Sequence, residues 1–206
     1  MPAESIYYKY STMEQKPVLM IHEVDERLFE LPLVNYVLTF DDGLYSQYQH
    51  FDRICEVDTQ KIFFISSNII CTGEQSTEYI SSKQAHQKYF ETGNAENFMT
   101  LDQIKEIMKH PQVIIGGHSH NHTDIRNMKL VERLTVIRKD TDLMVAWFEE
   151  NLGFRPRQFC FPYNNNSDGL YNAALKEYGI ITCHGRERIP VETLLQKMPQ
   201  LVSHAA

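Results

Sequence analysis

The absences in this sequence narrow the field first. Its 206 residues include four cysteines and a single tryptophan. Cys55, Cys71, Cys160 and Cys183 lie far apart with no Cys-x-x-Cys pair, so they read as reduced thiols, with Cys160 and Cys183 in strands. No apolar run approaches the roughly 20 residues needed to span a bilayer. There is no excess of positive charge either: the formal net charge of -7 argues against nucleic acid or an anionic membrane as the main partner. The start, MPAESIYYKYSTMEQ, has neither a basic n-region nor an apolar h-region, so no signal peptide is expected and the expected compartment is the cytoplasm. Internal repeats and low-complexity tracts are also lacking. What remains is ordinary for a folded protein, 42% hydrophobic and 11% aromatic, and long enough for one domain with a real core.

Apolar strand-like runs alternate with helix-like ones. The strand candidates are residues 16–24, 36–40, 61–66, 112–117, 158–163 and 179–184. Thr100 and Gln103 form a capping-box pattern that opens a helix ending before Pro111. From about Asp124 to Leu152, Ile125, Met128, Val131, Leu134, Ile137, Thr141, Met144, Phe148 and Leu152 follow a spacing of three or four, and Gly153 closes the longest helix. A shorter helix is expected in SDGLYNAALKEYG, ended by Gly179. Strands alternating with helices imply parallel βαβ units, in an open sheet or a barrel. Residues 71–98 break the rhythm. They are polar, aperiodic and longer than an ordinary loop, and read either as a mobile surface insertion or as a loop bordering an active site.

Two stretches carry chemistry. In VLTFDDGLY an apolar strand runs into Asp41 and Asp42, and the adjacent carboxylates repel unless a cation neutralises them; a plain Asp-Gly turn is the competing reading. In IIGGHSHNHTD, His118, His120 and His122 follow another buried strand. A continuing strand would put all three on one face, whereas a turn at Gly116-Gly117 would pair His118 with His122. At least two imidazoles converge either way, which suits zinc or a similar divalent ion. Asp42 with two imidazoles would leave ion positions open for water and substrate, the catalytic form of such sites.

The order TFDDG, then HSHNH about 75 residues later, then FCFPY resembles the polysaccharide deacetylases, the NodB homology domain of carbohydrate esterase family 4. The helix MTLDQIKEIMK and the FFIS run are similar to that family's as well, and the likeness covers roughly residues 17–184. It implies an α/β fold, a deformed (β/α)7 barrel forming a single domain over residues 1–206 with a polar insertion at 71–98, and a site at the C-terminal ends of the strands. It implies one divalent ion, zinc by expectation, held by Asp42, His118 and His122. Asp41 then matches the general base, and the backbone N–H of Tyr163 matches the donor that stabilises the oxyanion.

An amide hydrolase must also protonate its leaving amine. The family's usual acid is a histidine near the C-terminus, where QLVSHAA offers His204; one branch instead uses a strand resembling VLMIHEV, which points to His22. His184 is a further candidate. The arginine many members carry in the third motif falls here on Cys160, and Arg186 or Arg188 could replace it. Asn164 stands for the usual glycine. The resemblance thus implies a hydrolase that removes an acyl group, acetyl or formyl, from an amino sugar, expected to be a nucleotide- or lipid-linked precursor in surface-polysaccharide synthesis. Two other readings stay open: an amidohydrolase-type enzyme that uses His118 and His120 as ligands, and a degenerate relative that binds sugar or metal without turnover.

Overall fold

The computed structural model describes residues 16–198. Seven short strands, β1 (Val18–Ile21), β2 (Val37–Phe40), β3 (Lys61–Ile65), β4 (Val113–Gly117), β5 (Gln158–Cys160), β6 (Thr182–His184) and β7 (Ile189–Pro190), form one parallel sheet in the order β6-β5-β4-β3-β2-β1-β7. The sheet curls into a half-barrel, the deformed (β/α)7 form. Between and after the strands run α1 (Tyr45–Gln49), α2 (Phe51–Glu56), α3 (Ser82–Thr92), α4 (Leu101–Ile107), α5 (Leu130–Leu152), α6 (Leu170–Glu177) and α7 (Val191–Leu195).

The continuous apolar run of β3 is explained by burial on both faces, as parallel strands require. Alternate side chains divide. Phe63 and Ile65 join the large core with Phe40, Ile104, Met144 and Phe148, while Ile62 and Phe64 pack in a smaller cluster with Cys160. Register then sets the rim. Ile21 pairs with Phe40, Phe40 with Phe63, Ile65 with Gly117, Gly117 with Phe159 and Cys160 with His184. Residues just past these positions therefore share one end of the barrel.

Several elements differ from the sequence reading. The first strand stops at Ile21, so His22 starts a loop, and the fifth stops at Cys160 because Pro162 opens a tight turn. The long helix begins at Leu130; before it, the Asp124 carboxylate accepts from the Arg126 N–H and the Met128 N–H reaches the Ile125 carbonyl, which holds that stretch as a turn. Trp147 lies half-buried on α5, edge-on to Phe148. The capping box at Thr100 and Gln103 forms as expected. Residues 71–98 contain α3, opened by a second capping box at Ser81 and Gln84 and closed by Gly93.

Candidate active site

At the end of β2 the backbone reverses through left-handed conformations at Asp42 (φ 76°) and Gly43 (φ 73°). The turn sends the two neighbouring carboxylates toward different partners. Ser119, His122, Tyr163 and Asn164 also have positive φ. Such strained residues cluster where a site over-determines the backbone.

Asp41 is almost fully buried and is gripped by Arg188, whose guanidinium donates to both carboxylate oxygens at 2.7 and 2.8 Å. The same guanidinium reaches Thr39 Oγ1 and Asn164 Oδ1, each at 3.0 Å, and lies 2.9 Å from Cys160 Sγ. Burial pushes the Asp41 carboxyl up, but the charge and paired hydrogen bonds of Arg188 outweigh it and hold the group below the usual carboxylate range. Arg188 rather than Arg186 thus meets Asp41, from the turn before β7. Cys160 contributes a buried thiol whose pKa burial and the Asp41 charge push well up, so it stays protonated.

Asp42 is equally buried. Its Oδ2 accepts from Ser82 Oγ at 2.6 Å, whereas Oδ1 has no hydrogen-bond partner and faces His118 Nε2 at 3.1 Å and His122 Nε2 at 3.3 Å. The ligand atoms of Asp42, His118 and His122 lie within 4.8 Å of one another. His118 Nδ1 sits 2.8 Å from the Cys160 carbonyl, which can only accept, so Nδ1 carries the proton and Nε2 presents a lone pair. Burial lowers the His122 pKa well below its ordinary value and keeps that ring neutral. For His118 burial also opposes protonation, but the Asp42 carboxylate facing its Nε2 outweighs it and raises the pKa. A pair that draws a proton into a dry pocket marks a place where a cation fits. One carboxylate and two imidazoles are also a donor set that borderline divalent ions accept. The residues fit the ion that the motif resemblance implies.

The other expected residues fall as follows. His120 turns away, with Nδ1 at 2.8 Å from Ser67 Oγ, while Asp140 of α5 anchors its loop by accepting from the His120 and Asn121 backbone N–H groups. His22 Nε2 stands 4.0 Å from Asp41 Oδ2, with 28% of its side chain exposed. His184 bonds Gln158 Oε1 instead of reaching the carboxylates, and His204 lies outside the described residues. Tyr163 adopts φ 55°, ψ 22°, with its ring 4.8 Å from that of His122. A cleft of about 460 Å³ opens over these groups, and α3 forms one of its walls. Sequence reasoning missed Ser82, which sits in the aperiodic segment; the Ser81–Gln84 capping box was the available signal for its helix.

Fold and site together define a half-barrel hydrolase scaffold with paired aspartates and clustered imidazoles on its rim. The chain belongs to the polysaccharide deacetylase family, whose model matches residues 34–182. Among solved structures it is similar to IcaB from Ammonifex degensii (TM-score 0.65, 18% identity, covering 91% of this chain and 95% of that one). It is also similar to a de-N-acetylase from Aggregatibacter actinomycetemcomitans (0.61, 17%, 84% and 92%). The deacetylase PplD of Streptococcus pyogenes, solved with acetate, gives 0.57 at 16% identity, with 88% and 97% coverage. At such identities the likeness speaks to the fold. No curated sequence matches the chain at a significant level. No helix among the described residues is long and apolar enough to cross a membrane.

Proposed function

We propose that the protein is a metal-dependent carbohydrate deacetylase that removes an N-acyl group, acetyl before formyl, from an amino sugar. The observation that carries this reading is the opposite treatment of two adjacent aspartates. Asp41 is held ionised by a buried arginine, whereas Asp42 turns an unpartnered oxygen toward two imidazoles. Asp42, His118 and His122 would hold the ion, with zinc the first candidate. When bound, the ion supplies Lewis acidity, making a water more acidic and polarising the amide carbonyl.

The remaining steps belong to side chains and backbone. Asp41, charged at neutral pH, accepts the proton of the attacking water. The Tyr163 N–H would donate to the oxygen on which negative charge develops. His22, next to Asp41 and open to the cleft, would give its proton to the departing nitrogen. Tyr163, 38% exposed, lines the cleft in which a sugar would sit. The geometry around Asp41 weighs against the degenerate reading, because Arg188, from the turn before β7, meets Asp41 beside Cys160, the motif position that lacks an arginine. The position of His120, directed at Ser67, weighs against the His-x-His alternative.

Metal content and acyl release, measured on the same variants, test the division of labour. Asp42→Ala is expected to lose ion and activity together. Asp41→Asn is expected to keep the ion and lose about 10²–10⁴-fold in turnover, because an amide cannot take up the water's proton. Near-normal turnover by Asp41→Asn would remove it from the role of base.

A further inference from the structure

We propose that the cleft face of α3 selects an amino sugar that bears a negatively charged group, a phosphate or a carboxylate, and that Lys83 pairs with that group. This inference names the substrate class of the N-acyl hydrolase reading above and rests on that reading.

The sequence of α3 has no apolar period, yet Lys83, His86, Gln87 and Phe90 recur at helical spacings, share one face, and all line the cleft. The start of that face is held in place. Ser82 Oγ donates to Asp42 Oδ2 at 2.6 Å, and the Ser82 N–H donates to Glu23 Oε2 at 3.2 Å. The first turn of the helix is thus fixed beside the paired aspartates, and Lys83 follows directly, exposed. Of the residues lining the cleft, Lys83 alone is a lysine or an arginine. The chain has 27 acidic residues against 20 basic ones, but among the described residues no carboxylate pairs with Lys83. Other cations nearby are matched: Lys88 on the same helix pairs with Glu96, and Arg126, over the Tyr163 ring, pairs with Asp124. A lysine in the first turn also meets the positive end of the helix dipole, where acids are favoured. Residues that break a local rule without compensation inside the fold mark functional positions.

The charge of the whole cleft has the same sign. Arg188 neutralises Asp41, and a divalent ion would more than neutralise Asp42, so the loaded cleft carries excess positive charge to which Lys83 adds. Such a cleft attracts an anionic substrate. It also disfavours the product of deacylation, because a freed amine takes up a proton near neutral pH. A polymer already rich in free amines is therefore a poorer partner than a sugar that carries phosphate or carboxylate. Further along the helix, Gln87 and the half-exposed Phe90 present an amide and an aromatic ring, groups suited to the hydroxyls and C–H face of the sugar itself.

The test compares kcat/KM of the ion-loaded, full-length protein across N-acetylated sugars of different charge. The anionic ones are N-acetylglucosamine 1-phosphate and N-acetylglucosaminuronic acid, which separate phosphate from carboxylate as the preferred group. The neutral one is the methyl glycoside of N-acetylglucosamine, and the cationic one is mono-N-acetylated chitobiose. The expected order is anionic above neutral above cationic. The better anion should exceed the neutral sugar by about 10-fold or more, as for a hydrogen bond between charged partners, and salt should reduce the ratio. Lys83→Ala should bring the ratio toward one, chiefly through KM and with ion content unchanged, and Lys83→Arg should restore it. Equal kcat/KM for anionic and neutral sugars in the wild type overturns the proposal and leaves the hydrolase reading intact, a result that needs no variant. An anionic preference that survives in Lys83→Ala overturns the assignment of Lys83. Absence of acetate release from every one of these sugars would instead remove the hydrolase reading, and this inference with it.

Discussion

Asp41 and Asp42 are identical side chains one position apart, and their neighbours give them different work. For Asp41 the decisive neighbour is Arg188, fully buried, contacting both oxygens. Removing one member of a buried pair leaves an uncompensated charge, so Arg188→Ala is expected to cost about 3–5 kcal/mol of stability. The pH dependence follows from the sign of the shift. A carboxyl held below its ordinary value of about 3.9 stabilises the fold above that pH and loses the contribution as pH falls through the lowered value. Without Arg188, burial alone pushes Asp41 up, and its ionised form becomes a penalty that acid relieves. The deficit of Arg188→Ala in urea unfolding should therefore shrink between pH 7 and pH 4; a constant deficit would show that Arg188 acts by packing alone. His22 carries a separate expectation. His22→Ala should slow amide cleavage by about 10²–10⁴-fold and ester cleavage much less, since an alkoxide leaves more readily than an amide anion. Equal damage to both would take the acid role from His22. The aspartates and imidazoles were legible because each follows an apolar strand at a motif spacing. Arg188 was one of two candidates until the turn at Gly185 brought its guanidinium across the barrel.

At the scale of elements, β4 shows how packing sets the rim. A Cβ on Gly116 would meet the ring carbons of Phe64 at 2.6 and 2.7 Å and the Gln158 carbonyl oxygen at 3.0 Å. A Cβ on Gly117 would meet Met144 Sδ at 2.4 Å and its methyl at 3.1 Å. A ring and a backbone cannot retreat, whereas a methionine end can turn aside. Gly116→Ala should thus cost about 1–3 kcal/mol and Gly117→Ala clearly less, read from thermal or urea unfolding. The reverse order would place the tight approach on the α5 side of the strand. The capping box at Thr100 was readable because cap chemistry is local, whereas the turn expected at Gly116-Gly117 does not form there: both glycines lie within β4, where close packing needs them, and the chain turns after them at Ser119. The early start expected for α5 and the missed α3 have a common cause. Apolar spacing continues through 124–129 although local hydrogen bonds form a turn there, while α3 buries Ala85 and His86 and offers too few apolar residues for a period.

For the whole molecule, the parallel order was legible from the alternation of strands and helices, but the partner of the last strand was not. β7 is two residues long and pairs with β1 rather than β6. That return places Arg188 beside Asp41 although the two are 147 positions apart in sequence. The half-barrel thereby gathers residues from β1, β2, β4, β5, α3 and the turn before β7 around one cleft, and the central claim is that this gathering hydrolyses N-acyl amino sugars with a divalent ion. The most direct measurement is acetate release from N-acetylglucosamine oligomers and from N-acetylated sugar nucleotides by purified protein before chelation, after chelation, and after one equivalent of divalent ion is returned. The account predicts release that disappears with the ion, returns with it, and is absent throughout from Asp42→Ala. Release undiminished by chelation, or matched by Asp42→Ala, would contradict it.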